Sequence, residues 1–295
     1  MSAITDANIV VPKVQASRSY WASVGHRLIR DPVAMIALTV IVLLVLAAVF
    51  APYVAPADPF RGSMLRRLKP VGFPGYPLGA DELGRDMLTR LIYGGRLSLF
   101  IGVMPVLLAF CIGSGIGVFA GYVGGRINTI VMRVIDVFFA FPSVLLAIAL
   151  SGALGAGILN SIVSLTIVFV PQIARVSEAV TTQIRTRDYV EAARVSGASS
   201  FTIVRVHVLG NVLGPVFVYA TSLISVSMIL ASGLSFLGLG VKPPEPEWGL
   251  MLNTLRTAIY TQPLVAALPG VMIFMTSISF NLFSDGLRSA MEVKQ

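Results

Sequence analysis

The chain has 295 residues, of which 56% are hydrophobic and only 12% are charged. So few polar side chains cannot cover the surface of soluble domains, and the apolar excess must therefore face lipid. The net charge of +8 comes from Lys and Arg scattered between apolar runs, a pattern that does not favour nucleic-acid binding. The sequence predicts a polytopic, all-α membrane protein.

The sequence has no pattern typical of a cofactor, a metal or covalent catalysis. A phosphate-binding loop needs a Gly-Lys pair, and the four lysines follow Pro, Leu, Val and Val. His26 and His207 have no Cys or His partner at metal-ligand spacing, and the single Cys111 excludes an internal disulfide. We expect no enzyme activity, no catalytic residues, no cofactor and no metal site.

The predicted membrane spans follow from long gaps between charged residues. Because one span needs about 20 apolar residues, four of these gaps hold one helix each and the gap at 137–174 holds two. Glycines in the segment 151–160 supply the turn of that hairpin. The sequence thus predicts six transmembrane helices from gaps at 32–57, 97–125, 137–174, 206–241 and 257–284.

The expected organisation follows from these spans and from the positions of the basic residues. Most of the Lys and Arg lie on the side that holds both termini, which predicts that both termini are cytoplasmic. The first apolar run is long enough to be an uncleaved span. The predicted parts are a cytoplasmic tail (1–32), the first transmembrane helix (33–55), an extracytoplasmic loop (56–96), a five-helix core (97–288) and a cytoplasmic tail (289–295).

Two features inside the spans have both a structural and a functional interpretation. Asp136 is the one acid near a span interior, and Arg133 stands one helical turn before it, which favours an interfacial ion pair. Prolines inside the spans predict kinks, which serve either packing or gating, at Pro105, Pro142, Pro171 and Pro269.

The cytoplasmic loop at about 177–210 is predicted to form two short helices. Asp188 is placed to cap the first helix, with Glu191 three residues later, and Gly197 is placed to end it. Ser199 or Ser200 then caps the second helix, whose apolar face comprises Phe201, Val204 and Val208. Such a projection fits either a groove on a partner protein or the headgroups of the lipid surface.

This loop resembles a known motif. Glu191-Ala192-Ala193, three residues, Gly197, nine residues and His207-Val208-Leu209-Gly210 are similar to the EAA loop of ATP-binding-cassette importer permeases. The chain departs from that pattern at Gly210, where the family has proline. The resemblance implies that the residues coupling transport to the ATPase are Glu191, Ala192, Ala193, Gly197, Ala198 and Ser199.

Other segments extend the resemblance from about Pro77 to Arg288. They include Asp81-Glu82-Leu83-Gly84-Arg85-Asp86 and Ser235-Phe236-Leu237-Gly238-Leu239-Gly240. The chain is identified as similar to the C-type permease subunit of dipeptide, oligopeptide and nickel importers, which implies a type I importer permease fold. The implied partners in the bacterial inner membrane are a second permease, two ATP-binding subunits, an extracytoplasmic substrate-binding protein and the lipid bilayer.

The resemblance implies import of di- or oligopeptides, with nickel or another small solute as the alternative. An autonomous secondary transporter fits less well, because it would have several intramembrane acids or an inverted repeat. An intramembrane enzyme also fits poorly, because the spans lack paired carboxylates, or a Ser and a His at matching depth.

The external segments supply candidate gate or docking residues, namely Asp81, Glu82, Arg85, Asp86 and Trp248. Asp81 is placed to cap a helix that has Arg85 and Asp86 in its first turns. The alternative interpretations are a solvated loop on the membrane surface and, for Trp248, packing against the sixth span.

Overall fold

The computed structural model describes residues 20–291, and within this range the regular secondary structure is helical apart from two isolated β-bridges. Short 3₁₀ turns lie at Met64–Arg66 and Arg256–Tyr260. The helices, in chain order, are α1 (Tyr20–Ile29), α2 (Pro32–Val49), α3 (Ala51–Val54), α4 (Met87–Val123), α5 (Gly125–Phe139), α6 (Ser143–Leu154), α7 (Ile158–Arg185), α8 (Asp188–Val195), α9 (Ser200–Ile203), α10 (Leu209–Phe236), α11 (Trp248–Thr254) and α12 (Pro263–Met291).

The described residues contain five helices that are long and apolar enough to cross a membrane, namely α2, α4, α7, the continuous helix Ser200–Phe236 and α12. A sixth span is obtained if α5 and α6, which meet at an angle of 86°, are counted as one broken span. The predicted all-α fold is confirmed, with the third span broken instead of straight.

The second span begins earlier than its apolar gap indicates. α4 begins at Met87, whereas the gap begins at residue 97. Arg90 and Arg96 interrupt the apolar run, but arginine is a good helix former and does not end a helix. Part of the predicted extracytoplasmic loop is therefore helical. α12 likewise continues to Met291, beyond residue 288.

The segment before the first span also contains a helix. α1 packs Val24 and Leu28 against Leu287 and Ala290 at the end of α12. The side chain of Asp31 then caps α2 by accepting hydrogen bonds from Val33 N at 3.0 Å and Ala34 N at 3.2 Å. The rest of the predicted N-terminal tail, residues 1–19, lies outside the described residues.

The predicted hairpin turn lies where the glycines place it. α6 ends at Leu154, and Gly155 follows with φ of +85°, a conformation that favours glycine. Asn160 Nδ2 donates to the carbonyls of Leu154 and Gly155 at 2.8 and 3.0 Å, which satisfies the end of α6. The sharper break precedes α6, where Pro142 occupies its N-cap position.

The close packing of α4 against α7 forms the centre of the fold. Gly113, Gly117 and Gly121 recur every four residues on α4 and face the backbone of α7. A Cβ atom at Gly117 would lie 2.3 Å from the carbonyl oxygen of Ala174. Small residues at this spacing let two membrane helices approach closely enough for backbone contact.

We expect Gly117→Leu to destabilise the protein by about 1–3 kcal/mol or more, because the side chain would force α4 and α7 apart. The matched control is Gly115→Leu, since no atom lies within 4 Å of a Cβ at Gly115. Thermal unfolding in detergent, followed by size-exclusion chromatography, measures both variants. Equal melting temperatures for the two would contradict the close contact.

Candidate functional site

The loop predicted at about 177–210 folds as two short helices, α8 and α9, which together with the following turn we call the coupling knob (residues 188–208). Gly197 lies between them with φ of +80°, so the predicted left-handed turn is confirmed. Ser199 caps α9, and its Oγ accepts a hydrogen bond from Thr202 N at 3.2 Å. Glu191, Ala192, Gly197 and Ser199 are exposed on this knob.

The prediction that Asp188 caps α8 is wrong. The Arg187 carbonyl accepts hydrogen bonds from Val190 N at 2.9 Å and Glu191 N at 3.1 Å, so the helix begins one residue earlier than predicted. Arg187 holds the cap position without a side-chain cap bond, and Asp188 is the first helical residue. The carboxylates of Asp188 and Glu191 still lie in the first turn, where their negative charge interacts favourably with the helix dipole.

The predicted apolar face of the second helix is also corrected. Phe201 is 75% exposed, and the buried residues are Ile203 and Val208. A π-helical turn over Val204–Val208, closed by Leu209 N to the Val204 carbonyl, adds a residue to the turn. This extra residue rotates Val208 away from the face that carries Phe201.

The knob is anchored on one side and open on the other. Val190, Ile203 and Val208 enter the same hydrophobic core as α4, α7 and α10, and Ala193 and Ala198 pack against that core. The opposite side exposes apolar side chains, which are Tyr189, Val195, Phe201 and Val206. Exposed apolar side chains beside a rigid anchor are typical of a protein-binding surface.

A polar cleft separates the knob from the end of α4. It has a volume of about 460 Å³ and is lined by Tyr122, Val123, Arg185, Thr186, Glu191 and Arg194. Arg185 Nη1 donates to the Tyr122 carbonyl at 3.2 Å, so the end of α7 is tied to the end of α4. At the other end of the knob, α9 continues through the π-turn into α10, so that Ser200–Phe236 is one helix.

The structure brings Asp81, Glu82 and Arg85 together in the loop before α4, which we call the external loop after its predicted location. Asp81 Oδ2 lies 2.6 Å from Arg85 Nε and 3.2 Å from Arg90 Nε, and Arg85 Nη2 lies 3.0 Å from Glu82 Oε1. Asp81 Oδ1 also accepts from the backbone N of Arg85 at 2.9 Å. Burial, and then the charge of Asp81, raise the pKa of Glu82 above its ordinary value.

The prediction that Asp81 caps a helix is wrong, because Asp81 closes a tight turn instead. Asp86 is the cap of α4, and its Oδ2 accepts from Thr89 N at 2.8 Å. Asp81, Arg85 and Asp86 are buried, and only Glu82 is partly exposed. These charges hold the loop in shape, and a docking or gating role stays a prediction.

Trp248 is buried against α4. Its ring lies against Gly94 and Gly95, and its Nε1 donates to the Leu91 carbonyl at 2.9 Å. The same cluster includes Val265 and Ala266 of α12, so the indole also belongs to the packing of the sixth span. A gate at Trp248 would therefore act through packing, since the side chain is only 1% exposed.

The sequence analysis missed Glu247, the residue that positions Trp248. Its carboxylate caps α11 by accepting from Gly249 N and Leu250 N, each at 2.8 Å, and accepts from Ser98 Oγ of α4 at 3.2 Å. Burial raises the pKa of Glu247. An acid directly before the Trp-Gly pair is a helix-cap signal that could have indicated this role.

The prediction that Arg133 is the partner of Asp136 is incomplete. Arg175 of α7 donates a hydrogen bond to Asp136 Oδ1, while Arg133 Nη1 lies 3.9 Å from Asp136 Oδ2. The ion pair therefore joins α5 to α7, a contact between residues 39 positions apart that local spacing does not reveal.

We expect Asp81→Ala to destabilise the external loop by about 3–5 kcal/mol, because it leaves Arg85 and Arg90 buried without their shared carboxylate. This loss of stability should make trypsin cleavage after Arg66 and Arg67 more than about tenfold faster. Asp58→Ala is the matched control, since Asp58 is an exposed acid of the same loop. Equal cleavage rates for the two variants would contradict a structural role for the buried charges.

Comparison with known proteins agrees with this architecture. Residues 113–294 match the family described as "Binding-protein-dependent transport system inner membrane component", and residues 19–70 match the "N-terminal TM domain of oligopeptide transport permease C". A solved structure of the MetNI methionine ABC transporter has a TM-score of 0.55 and 20% identity, covering 69% of this chain and 97% of that chain. This structural likeness shows the type I importer permease fold.

Two relatives cover nearly the whole chain. The glutathione transport system permease protein GsiD of Pectobacterium atrosepticum is 38% identical over 288 residues, 98% of this chain and 96% of the relative. The di/tripeptide transport system permease protein DppC of Pseudomonas aeruginosa is 39% identical over 297 residues, 98% and 95% of the two chains. The chain therefore belongs to the binding-protein-dependent transport system inner membrane component family, as a membrane permease of an ATP-binding-cassette importer.

Proposed function

We propose that this permease imports di- or oligopeptides and that ATP hydrolysis by partner subunits drives the import through the coupling knob. The names of the relatives support a peptide substrate, since they are glutathione and di/tripeptide transport permeases. The anchored knob with its exposed apolar side supports the coupling role. The free energy comes from the partners, because the sequence has no phosphate-binding loop of its own.

The rigid connections of the knob carry this mechanism. A partner that binds Val195 and Phe201 pulls on α8 and α9, whose buried side chains Val190 and Ile203 hold them to the core. The pull passes directly into α10 through the continuous helix, and into α7 through the two-residue link 186–187. Packed helices move as units, so motion of ATP-binding subunits becomes rotation of the spans.

The assembly that we propose contains a second permease, two ATP-binding subunits and an extracytoplasmic substrate-binding protein. Both termini and the coupling knob lie in the cytoplasm, with the tails at 1–32 and 289–295, as the basic residues favour. The loop at 56–96 then faces the binding protein. The buried charges hold the shape of this loop, and its outer surface includes the exposed Leu65 and the partly exposed Glu82.

We expect Val195→Asp to lower the recovery of ATP-binding subunits with the purified permease by at least about tenfold, because it places a charge in an apolar contact. Val195 is 84% exposed, so the permease itself should keep its melting temperature. The matched control is Leu65→Asp, which changes a 90% exposed residue of the external loop. Full recovery of ATP-binding subunits with Val195→Asp would refute docking at the knob.

We expect Gly197→Pro to separate ATP hydrolysis from uptake, because proline fixes φ near −65° and cannot adopt the left-handed turn between α8 and α9. Peptide uptake and ATPase activity of the reconstituted transporter are measured together. Gly197→Asn should keep coupling, since asparagine tolerates this conformation. A proline variant with the normal ratio of peptide to ATP would show that the turn is not part of the coupling.

A further inference from the structure

α7 carries polar side chains along the second half of its length. Gln172, Arg175 and Gln183 are partly or fully exposed, and the exposed Ala179 lies between them at the same three- or four-residue spacing. Arg175 stands ten residues before the end of α7, a distance of about 15 Å along the axis. A charged side chain at that position is costly against lipid, so these polar side chains face an aqueous path or another protein.

The charges at this position are unequal in number. The Asp136 carboxylate faces two guanidinium groups, those of Arg133 and Arg175, so the cluster has a surplus of one positive charge. The side chains of Asp136, Arg175 and Arg133 are 36%, 47% and 80% exposed, respectively. All three reach the surface of this chain.

An apolar cleft adjoins these charges at the break between α5 and α6. It has a volume of about 180 Å³ and is lined mainly by aromatic and aliphatic residues, with Gln172 at its polar side. The ring of Phe139, which lines the cleft, has its centroid 5.9 Å from Arg175 Cζ. Binding sites for whole small molecules measure roughly 300–1,000 Å³, so this cleft suits one side chain of a ligand.

The ion pair is one of several contacts that hold α5. Asn128 Nδ2 of α5 donates to Glu178 Oε1 of α7 at 2.6 Å and to the Ala120 carbonyl of α4 at 3.2 Å. Met132 and Ile135 of α5 are buried beside Ala120 and Ala174. α5 therefore has contacts to α4 and α7 besides the exposed Asp136–Arg175 pair.

We propose that Asp136, Arg175 and the neighbouring cleft bind the passing peptide on the wall of the translocation path. The ammonium group of the peptide pairs with Asp136, its carboxylate pairs with Arg175 and Arg133, and one of its apolar side chains enters the cleft. A zwitterion can replace each partner of the ion pair without leaving either charge unpaired. This inference rests on the proposed peptide import, and it adds the residues that recognise the peptide termini.

The test uses the assembled transporter in nanodiscs and the double variant Asp136→Asn with Arg175→Gln, which keeps the shape of the pair and removes its charge. Saturation-transfer NMR without the binding protein measures contact with trialanine. We expect the signal of the bound peptide and the rate of trialanine uptake to fall at least about tenfold, because the variant removes a charged contact at each end of the peptide. The melting temperature is measured on the same preparations, so that a loss of folded protein is distinguished from a loss of peptide contact.

Two controls separate recognition of the termini from other effects. Arg126→Gln removes an exposed arginine of α5 away from the ion pair and should leave uptake and NMR signal unchanged. Trialanine with an acetylated amino end and an amidated carboxyl end should give a weak signal with the unaltered transporter and no further loss with the double variant. A strong signal from this blocked peptide would overturn the proposal.

The outcomes also distinguish this inference from the proposed function. Trialanine uptake that is equal in the double variant and the unaltered transporter would refute the binding role of Asp136 and Arg175 while leaving peptide import intact. An unaltered transporter that hydrolyses ATP and imports no di- or tripeptide would refute peptide import itself. A double variant that loses melting temperature as well as uptake, with an unchanged NMR signal, would assign the pair to structure.

Discussion

The rest of this structure depends on the contact between the glycines of α4 and the backbone of α7. Gly113, Gly117 and Gly121 remove the side chains that would keep the two helices apart. α4 begins beside the charged cluster of the external loop, and α7 ends three residues before the coupling knob. Both candidate functional surfaces are therefore built on one rigid helix pair, and a change in its spacing would move both.

The external loop and the coupling knob differ in which side chains they bury. The external loop buries Asp81, Arg85 and Arg90, whose charges satisfy one another and fix a segment that has little regular structure. The knob instead exposes apolar side chains and buries only its anchors. Buried charge pairs give a loop a defined shape, whereas exposed apolar groups give affinity for a partner. The external loop therefore presents a defined shape, and the knob presents an apolar surface.

Local signals in the sequence predicted the spans, the turn at Gly197 and a cap at Ser199 or Ser200, because each depends on neighbouring residues. The missed features depend on residues far apart in the chain. Arg175 lies 39 positions from Asp136, and the Ser98 partner of Glu247 lies 149 positions away. The π-turn that exposes Phe201 is also set by tertiary packing, since Val208 must reach the core.

The break before α6 connects the fold to the peptide site that we propose. A continuous helix through Pro142 would bring α5 and α6 into line and would close the space between them. The 86° bend instead leaves a cleft at the corner, with Asp136 one helical turn before its aromatic lining. Arg175 belongs to α7, which packs against α4, whereas Asp136 and the aromatic lining of the cleft belong to the bent span. The bent span is thus the element on which peptide binding and alternating access would meet.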